Sequence, residues 1–293
     1  ANLKAGIVSN AVGIALLGAF ALAFSLTHLA ALALLIQWVF FFAHGLPNNS
    51  EKLYDASGSL TYLSVVLAAL LQRSDLAARA KVNNFCVVIW CTRLGSFLFA
   101  RILKDGRDTR FEPFKAHWLR FLGVWTIQAV WVFLVSSPAL VVASSDVCNA
   151  TSAGVLDALG WCIWTLGFFM EVVADAQKSA FRAEAANAKK FITTGLWAYS
   201  RHPNYFGEIC MWIGLCTSGS SCFEGSTWLA WISPLTSFLL LTKVSGVPML
   251  ESRGEKEWGA LPEYQWYMKH TPCIIPALSR PLPFQEVAGK KDG

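Results

Sequence analysis

The chain has 293 residues, 55% of them hydrophobic and 15% charged, with 13 tryptophans, 20 phenylalanines and a formal net charge of +5. Charged residues make up about a quarter of a typical soluble domain. The composition therefore excludes an ordinary soluble enzyme and points to a membrane protein with interfacial aromatic belts.

Bilayer spans need about 17–25 apolar residues. Such runs occur near 6–24, 28–45, 57–72, 83–103, 118–143, 154–177, 204–219 and 227–248. The expected fold is all-α, a polytopic bundle of about seven to eight transmembrane helices. Residues 6–44 are nearly charge-free and too long for one untilted helix, so a break is expected near Ser25-Leu26-Thr27-His28. One long tilted helix is the alternative. A cleaved signal peptide is not expected, because the first run lacks a basic leader and a clear small-residue cleavage site. The division expected is 1–45 for N-terminal helices, 46–277 for the main membrane domain and 278–293 for a polar tail.

Lysine and arginine placement sets the orientation. Arg101, Lys104, Arg107, Arg110, Lys115 and Arg120 follow the fourth span, and Lys178, Arg182, Lys189, Lys190 and Arg201 follow the sixth. The loops on the opposite side, 144–153 and 218–226, hold no lysine or arginine. The basic segments are therefore expected in the cytoplasm. One loop resists the scheme: 73–82 carries Arg73, Arg79 and Lys81 on the far side. A basic cytoplasmic face suits an anionic cofactor or membrane lipids, and nothing resembles a nucleic-acid groove.

The eight cysteines show no CxxC and no zinc spacing, so no metal is expected. Cys86, Cys91, Cys162, Cys210 and Cys216 lie in apolar runs and read as small hydrophobes. Cys148 and Cys222 fall in the two far-side loops, where a disulfide is conceivable in an oxidising lumen. Asn149-Ala150-Thr151 is a glycosylation sequon of little weight.

The densest polar cluster runs from Gly195 through Tyr199, Ser200, Arg201, His202, Pro203, Asn204 and Tyr205 to Gly207 and Glu208. Pro203 suits the first turn of a helix. Arg201 and His202 then stand at its positive end, a ready phosphate site. A plain interfacial turn with a snorkelling arginine is the alternative. Glu171, Asp175, Lys178 and Arg182 follow spacings of four, three and four, which places them on one helical face. Local salt bridges are one account of that stripe. A nucleotide is the other, with acids at membrane depth taking ribose hydroxyls and the surface cations taking phosphates.

Arg93 lies mid-span, where an arginine is costly unless it lines a polar cavity. Asp55 begins the third span, and Asp55, Gly58 and Tyr62 would share a face. Gly106, in the charged turn 105–111, would let backbone approach a phosphate; a solvated loop is the alternative. His28, Gln37, His44 and Gln128 are isolated polar residues expected to form interhelical hydrogen bonds.

These motifs resemble the membrane reductases that include the steroid 5α-reductases and the sterol C14 and C7 reductases, together with an uncharacterised branch grouped with them. Arg201 through Glu208 carries the strongest similarity, with Gln177-Lys178-x-x-Phe181-Arg182 and the tail Glu263-Tyr264…Tyr267 closed by Pro272 and Pro276. Trp90 through Phe111 is similar to the uncharacterised branch. The resemblance covers about residues 50–277 and implies a helical bundle that holds NADPH in a cavity at the cytoplasmic side. It further implies hydride transfer to a carbon–carbon double bond of a lipid, a steroid, sterol, isoprenoid or other enone, drawn from the bilayer.

Position by position, the resemblance puts Asp175, Arg182, Asn204 and Glu208 against the cofactor. Glu171, Lys178, Tyr199, Arg201, His202, Tyr205, Glu251 and Tyr264 stand in or beside the same motifs. It puts Arg93 at a cavity arginine. Trp90 stands where the 5α-reductases have a catalytic tyrosine and cannot protonate a carbonyl, which leaves Asp55, Tyr54 or Tyr62 as the proton donor. A monomer or weak homo-oligomer is expected, in the endoplasmic reticulum or a bacterial inner membrane. Isoprenylcysteine carboxyl methyltransferases share the Tyr199-x-Arg201-His202-Pro203 core, the later glutamate and the paired tyrosines, so an S-adenosylmethionine-dependent methyltransferase is the alternative. A non-catalytic lipid-binding protein is the third reading.

Overall fold

A computed structural model describes residues 2–281 and Phe284. Its helices are α1 (Asn2–Ala23), α2 (Thr27–Phe40), α3 (Tyr54–Leu71), α4 (Ala78–Asp105), α5 (Glu112–Lys115), α6 (Trp118–Ser144), α7 (Asp146–Ala150), α8 (Val155–Ala183), α9 (Pro203–Gly219), α10 (Ile232–Leu239), α11 (Val247–Trp258) and α12 (Pro262–His270). Short 3-10 and π turns join some of them, and no strand occurs among the described residues. The all-α expectation holds.

Among the described residues, seven helical segments are long and apolar enough to cross a membrane: 2–23, 27–45, 54–71, 78–104, 118–144, 155–183 and 225–258. The chain is an integral, multi-pass membrane protein. The span expected at 204–219 is α9, whose 17 residues reach about 25 Å at 1.5 Å per residue. That stands at the lower end of the spanning range. The N-terminal break lies where expected: α1 stops at Ala23, Ser25 turns the chain at φ 58°, and α2 begins at Thr27. Most of the tail expected over 278–293 lies outside the described residues.

The chain divides into two compact units, 1–161 with 215–236, and 162–214 with 237–293. In the first, α6 is the central helix, and α1, α2, α3 and α4 all pack on it. Its sequence fits that position, being apolar on every side from Phe121 to Ala143. A helix with lipid on one side needs only a partial apolar face toward its neighbours, and α1 accordingly leaves most of its surface outside the core.

Polar residues join these helices, since a polar group at membrane depth must find its partner in protein. Asn10 donates to the Leu119 carbonyl at 2.9 Å and accepts from the Thr126 hydroxyl at 2.6 Å. Trp38 donates to the same Thr126 at 3.1 Å, linking α1, α2 and α6. Gln37 donates to Thr61 at 2.8 Å, Gln72 meets His28 at 2.6 Å, and Gln128 donates to the Tyr54 carbonyl at 3.1 Å. Three of the four isolated polar residues thus bridge helices as expected. His44 does not: its ring meets only Asn48, one turn on.

The far side explains the loop that broke the charge rule. Arg79 is fully buried and grips Asp157 through two bonds, Nε to Oδ1 at 2.6 Å and Nη2 to Oδ2 at 2.7 Å. Its remaining hydrogens reach the carbonyls of Cys148, Thr151 and Ser152, and Ser218 donates to Asp157 at 2.8 Å. Arg73 pairs with Asp75 and Asp146. A neutralised arginine carries little topological weight, which leaves the exposed Lys81 as the exception in this loop.

The disulfide that the sequence left conceivable, Cys148–Cys222, is formed and closes a separation of 74 residues beside this pair. Asn149 is consumed by structure. It accepts from the Ala77 amide at 2.9 Å and donates to the carbonyls of Val142, Ala143 and Ser145. A glycan on Asn149 would break those bonds.

Replacing Arg79 with methionine leaves Asp157 buried without a counter-charge, which costs about 3–5 kcal/mol. The double change Arg79→Met with Asp157→Leu should lose less than Arg79→Met alone, measured by thermal unfolding in detergent. Equal losses would assign the stabilisation to the carbonyl bonds of Arg79 and not to the ion pair.

Candidate functional site

In the second unit, helices α8 and α9 meet backbone to backbone. A Cβ added to Gly207 would stand 2.5 Å from the Gly167 carbonyl and 2.8 Å from the Glu171 amide, and one added to Gly167 would stand 2.5 Å from the Gly207 carbonyl. Only glycine permits that approach. It brings the acidic stripe of α8 against the first turns of α9. Asn204 then donates to Asp175 at 3.1 Å. Glu171, Asp175, His202 and Glu208 are all buried, at 3, 7, 5 and 8% exposure. Along the stripe burial fades outward, with Lys178 half-buried and Arg182 exposed.

The segment before α9 lies along α8. Gly195 adopts φ 60°, a left-handed conformation suited to glycine. The next amide, Leu196, donates to Gln177 at 2.9 Å. Trp197 donates to the Ala174 carbonyl at 3.0 Å, and the Lys178 ammonium sits 4.4 Å from the centre of its ring. From the other side the chain after α12 clamps the motif. The Arg201 amide donates to the Pro272 carbonyl at 2.9 Å, and Ser200 donates to the Ile274 carbonyl at 2.8 Å. The Ala277 amide donates to the Tyr199 carbonyl at 2.9 Å.

Arg201 has a different role from the one expected. Its guanidinium donates to Glu251 at 2.9 Å and to the carbonyls of Met268 and Thr271. It ties the motif to α11 and α12, and those donors are not offered to a phosphate. Glu251 also meets His202 Nε2 at 3.2 Å. Tyr264 packs edge-on against Phe191 at 5.1 Å, with its hydroxyl crowding Gly254, and so belongs to the aromatic support of this tie. His202, Glu251 and Cys273 offer donor atoms within 4.8 Å of one another, a spacing open to a metal ion. The Arg201 cation on the same Glu251 oxygen opposes a divalent ion there.

Two polar atoms at this junction are buried without partners: His202 Nδ1 and Asn204 Oδ1. Glu251 accepts from Nε2, so the neutral ring carries its hydrogen there and Nδ1 is a bare acceptor. The Asn204 amide nitrogen faces Asp175, which leaves its oxygen as the second bare acceptor. The His202 ring stacks on Tyr205 at 5.3 Å and 6°. Burial and the neighbouring Lys178 and Arg201 lower the affinity of His202 for a proton, outweighing Glu251.

The remaining candidates lie in the first unit. Tyr54 packs between Phe111 and Trp125 and donates to the Val124 carbonyl at 3.3 Å, so its hydroxyl serves the core. Asp55 faces Arg101 at 3.5 Å. Gly58 does not share an open face with them; a Cβ there would collide with Gln128 at 2.3 Å. Tyr62 is buried with its ring edge-on to Trp90 at 5.1 Å. The Arg93 guanidinium lies 5.5 Å from the Phe97 ring, one turn along α4. Sequence reading missed the Gly167–Gly207 contact and Cys273. The repeated glycines facing each other across two predicted spans were the available signal for the first.

Gly207→Ala should separate α8 from α9 and lower stability by about 1–3 kcal/mol, read as a drop in thermal midpoint. The folded His202 resists protonation, while an unfolded histidine takes a proton near pH 6.5. Stability from this group is therefore complete above that value and is lost as pH falls below it. His202→Gln should flatten the decline of the thermal midpoint between pH 7.5 and 5.5.

No curated protein and no solved structure matches the chain. The family described as "Protein of unknown function (DUF1295)" matches residues 41–271. That match takes in the first-unit candidates and the whole junction of α8, α9 and α11, and the chain belongs to this DUF1295 family.

Proposed function

We propose that the protein is a membrane reductase that uses NADPH to reduce a carbon–carbon double bond of a lipid, in the manner of the steroid 5α-reductases and sterol reductases. One observation carries the proposal: two buried acceptors without donors, His202 Nδ1 and Asn204 Oδ1, stand beside a stripe whose outer residues are Lys178 and Arg182. A ligand suited to this junction brings hydroxyl or amide hydrogens inward and negative charge outward. A nicotinamide dinucleotide phosphate has that polarity. Asp175, Asn204 and His202 would hold its hydroxyl and amide groups, and Lys178 and Arg182 its phosphates.

When bound, the cofactor supplies a hydride to the double bond, and the protein supplies position and charge. Reduction also needs a proton at the neighbouring atom and a donor for any developing oxyanion. Tyr54 is withdrawn from that role by its bond to Val124. Asp55 and Tyr62 are the candidates for that role. The endoplasmic reticulum, or a bacterial inner membrane, is the proposed location.

One feature favours the methyltransferase reading. Three carboxylates of the second unit, Glu171, Asp175 and Glu208, are buried, and acids suit a cationic sulfonium. Thermal unfolding in detergent with NADPH, NADH or S-adenosylmethionine separates the readings, because a ligand that binds only the folded chain raises its midpoint. NADPH should raise it most. A shift with S-adenosylmethionine and none with NADPH would sink the reductase proposal.

Arg182→Gln should weaken NADPH at least about tenfold, through loss of a charged contact of about 1.5–3 kcal/mol. An unchanged dissociation constant would remove Arg182 from the site.

A further inference from the structure

The loop between α2 and α3 and the turn after α4 line an open polar pocket of about 420 Å³ within the first unit. Three cations line it, Lys52, Arg107 and Lys115, against two carboxylates, Glu51 and Glu112. The carboxylates are already engaged. Glu51 is 3% exposed; it accepts from the Asp108 amide at 2.6 Å and from Lys115 at 2.5 Å. Burial pushes its proton affinity up, but that amide and Lys115 overcome it and hold the carboxyl below its ordinary range. Glu112 meets the same Lys115 at 3.2 Å. Lys52 and Arg107, both exposed, have no acidic partner among the described residues.

His44 adds a directional signal. Asn48 Nδ2 donates to the His44 carbonyl at 3.0 Å, which fixes the amide nitrogen, and the same nitrogen lies 3.3 Å from His44 Nδ1. Nδ1 is therefore the acceptor, and the neutral ring carries its hydrogen on Nε2. Nε2 is buried with no partner. A buried donor without an acceptor is destabilising, and the ring that carries it lines the pocket. Gly106 forms part of the wall at φ 78° with open space around it, so backbone can come close to a ligand there.

We infer that this pocket binds a phosphate group, carried by the headgroup of a membrane lipid. Lys52 and Arg107 supply the charge, and the His44 ring in the wall carries an unused N–H. The lipid source follows from position. His44 sits in the π turn that ends the span 27–45, and Gly106 follows the span 78–104. Beside them in sequence, Phe42, Leu46 and Phe114 expose 48, 39 and 37% of their surface. Apolar side chains next to a cationic pocket at a span end suit acyl chains below an anionic headgroup. The inference uses no residue assigned to the cofactor and does not rest on that assignment.

The test uses the full chain, stripped of lipid in detergent, with binding read by native mass spectrometry. Dioleoylphosphatidylglycerol should bind at least about tenfold more tightly than dioleoylglycerol, which lacks the phosphate. Lys52→Gln with Arg107→Gln should remove that preference while leaving the Glu51–Lys115 pair and the lipid-free thermal midpoint intact. His44→Phe should weaken the phospholipid alone. Displacement of the phospholipid by equimolar inorganic phosphate would keep the phosphate chemistry and reassign its source to a soluble anion. Equal binding of the two lipids, or full affinity in the double variant, would overturn the site.

Discussion

A charge taken out of water must have its partner within reach, and this constraint organises the molecule. Arg79 enters the first unit bound to Asp157, Glu51 is held by Lys115 and the Asp108 amide, and Arg201 by Glu251 and two carbonyls. Each pair joins segments far apart in the chain, so each also fixes tertiary structure. Arg79 holds α4 to the start of α8. Glu51 holds the loop after α2 to α5. Arg201 holds the entrance of α9 to α11 and the chain beyond α12.

Against that background the exceptions are informative. His202 Nδ1, Asn204 Oδ1 and His44 Nε2 are buried polar atoms that the protein leaves without partners. At the α8–α9 junction the two unpartnered atoms are acceptors and stand among buried carboxylates. At the end of α2, the His44 atom is a donor, and Lys52 and Arg107 line the pocket beside it. This opposite hydrogen-bond polarity is what separates the two proposals: hydroxyl and amide hydrogens at the α8–α9 junction, anionic oxygens at the end of α2.

Close backbone approach supplies the second organising element. Gly167 against Gly207 carries no energy of its own beyond dispersion, yet it decides which side chains of α8 and α9 can meet. Had either position carried a side chain, Asp175 and Asn204 would stand too far apart to bond. The same logic explains Gly58 against Gln128 in the first unit, where a glycine lets α3 sit on α6 and turns an expected open face into a packed one.

Much of this was determined by the sequence alone. Apolar runs set the helical class and nearly all the spans, because hydrocarbon solvent admits few alternatives for backbone. Spacing along one helix set the acidic-to-basic stripe, since a 3.6-residue period is local. The break at Ser25 was legible for a similar reason, while the Cys148–Cys222 pairing was only conceivable from two loops on one side of the bundle. What only the tertiary structure decided concerns partners distant in sequence. That Arg201 serves as a tie, that Tyr54 serves the core, that Arg79 is neutralised and that His44 lacks an interhelical bond all depend on which remote group arrives within 3 Å. A hydrogen bond forms or fails over a fraction of an ångström, and no one-dimensional pattern encodes that distance.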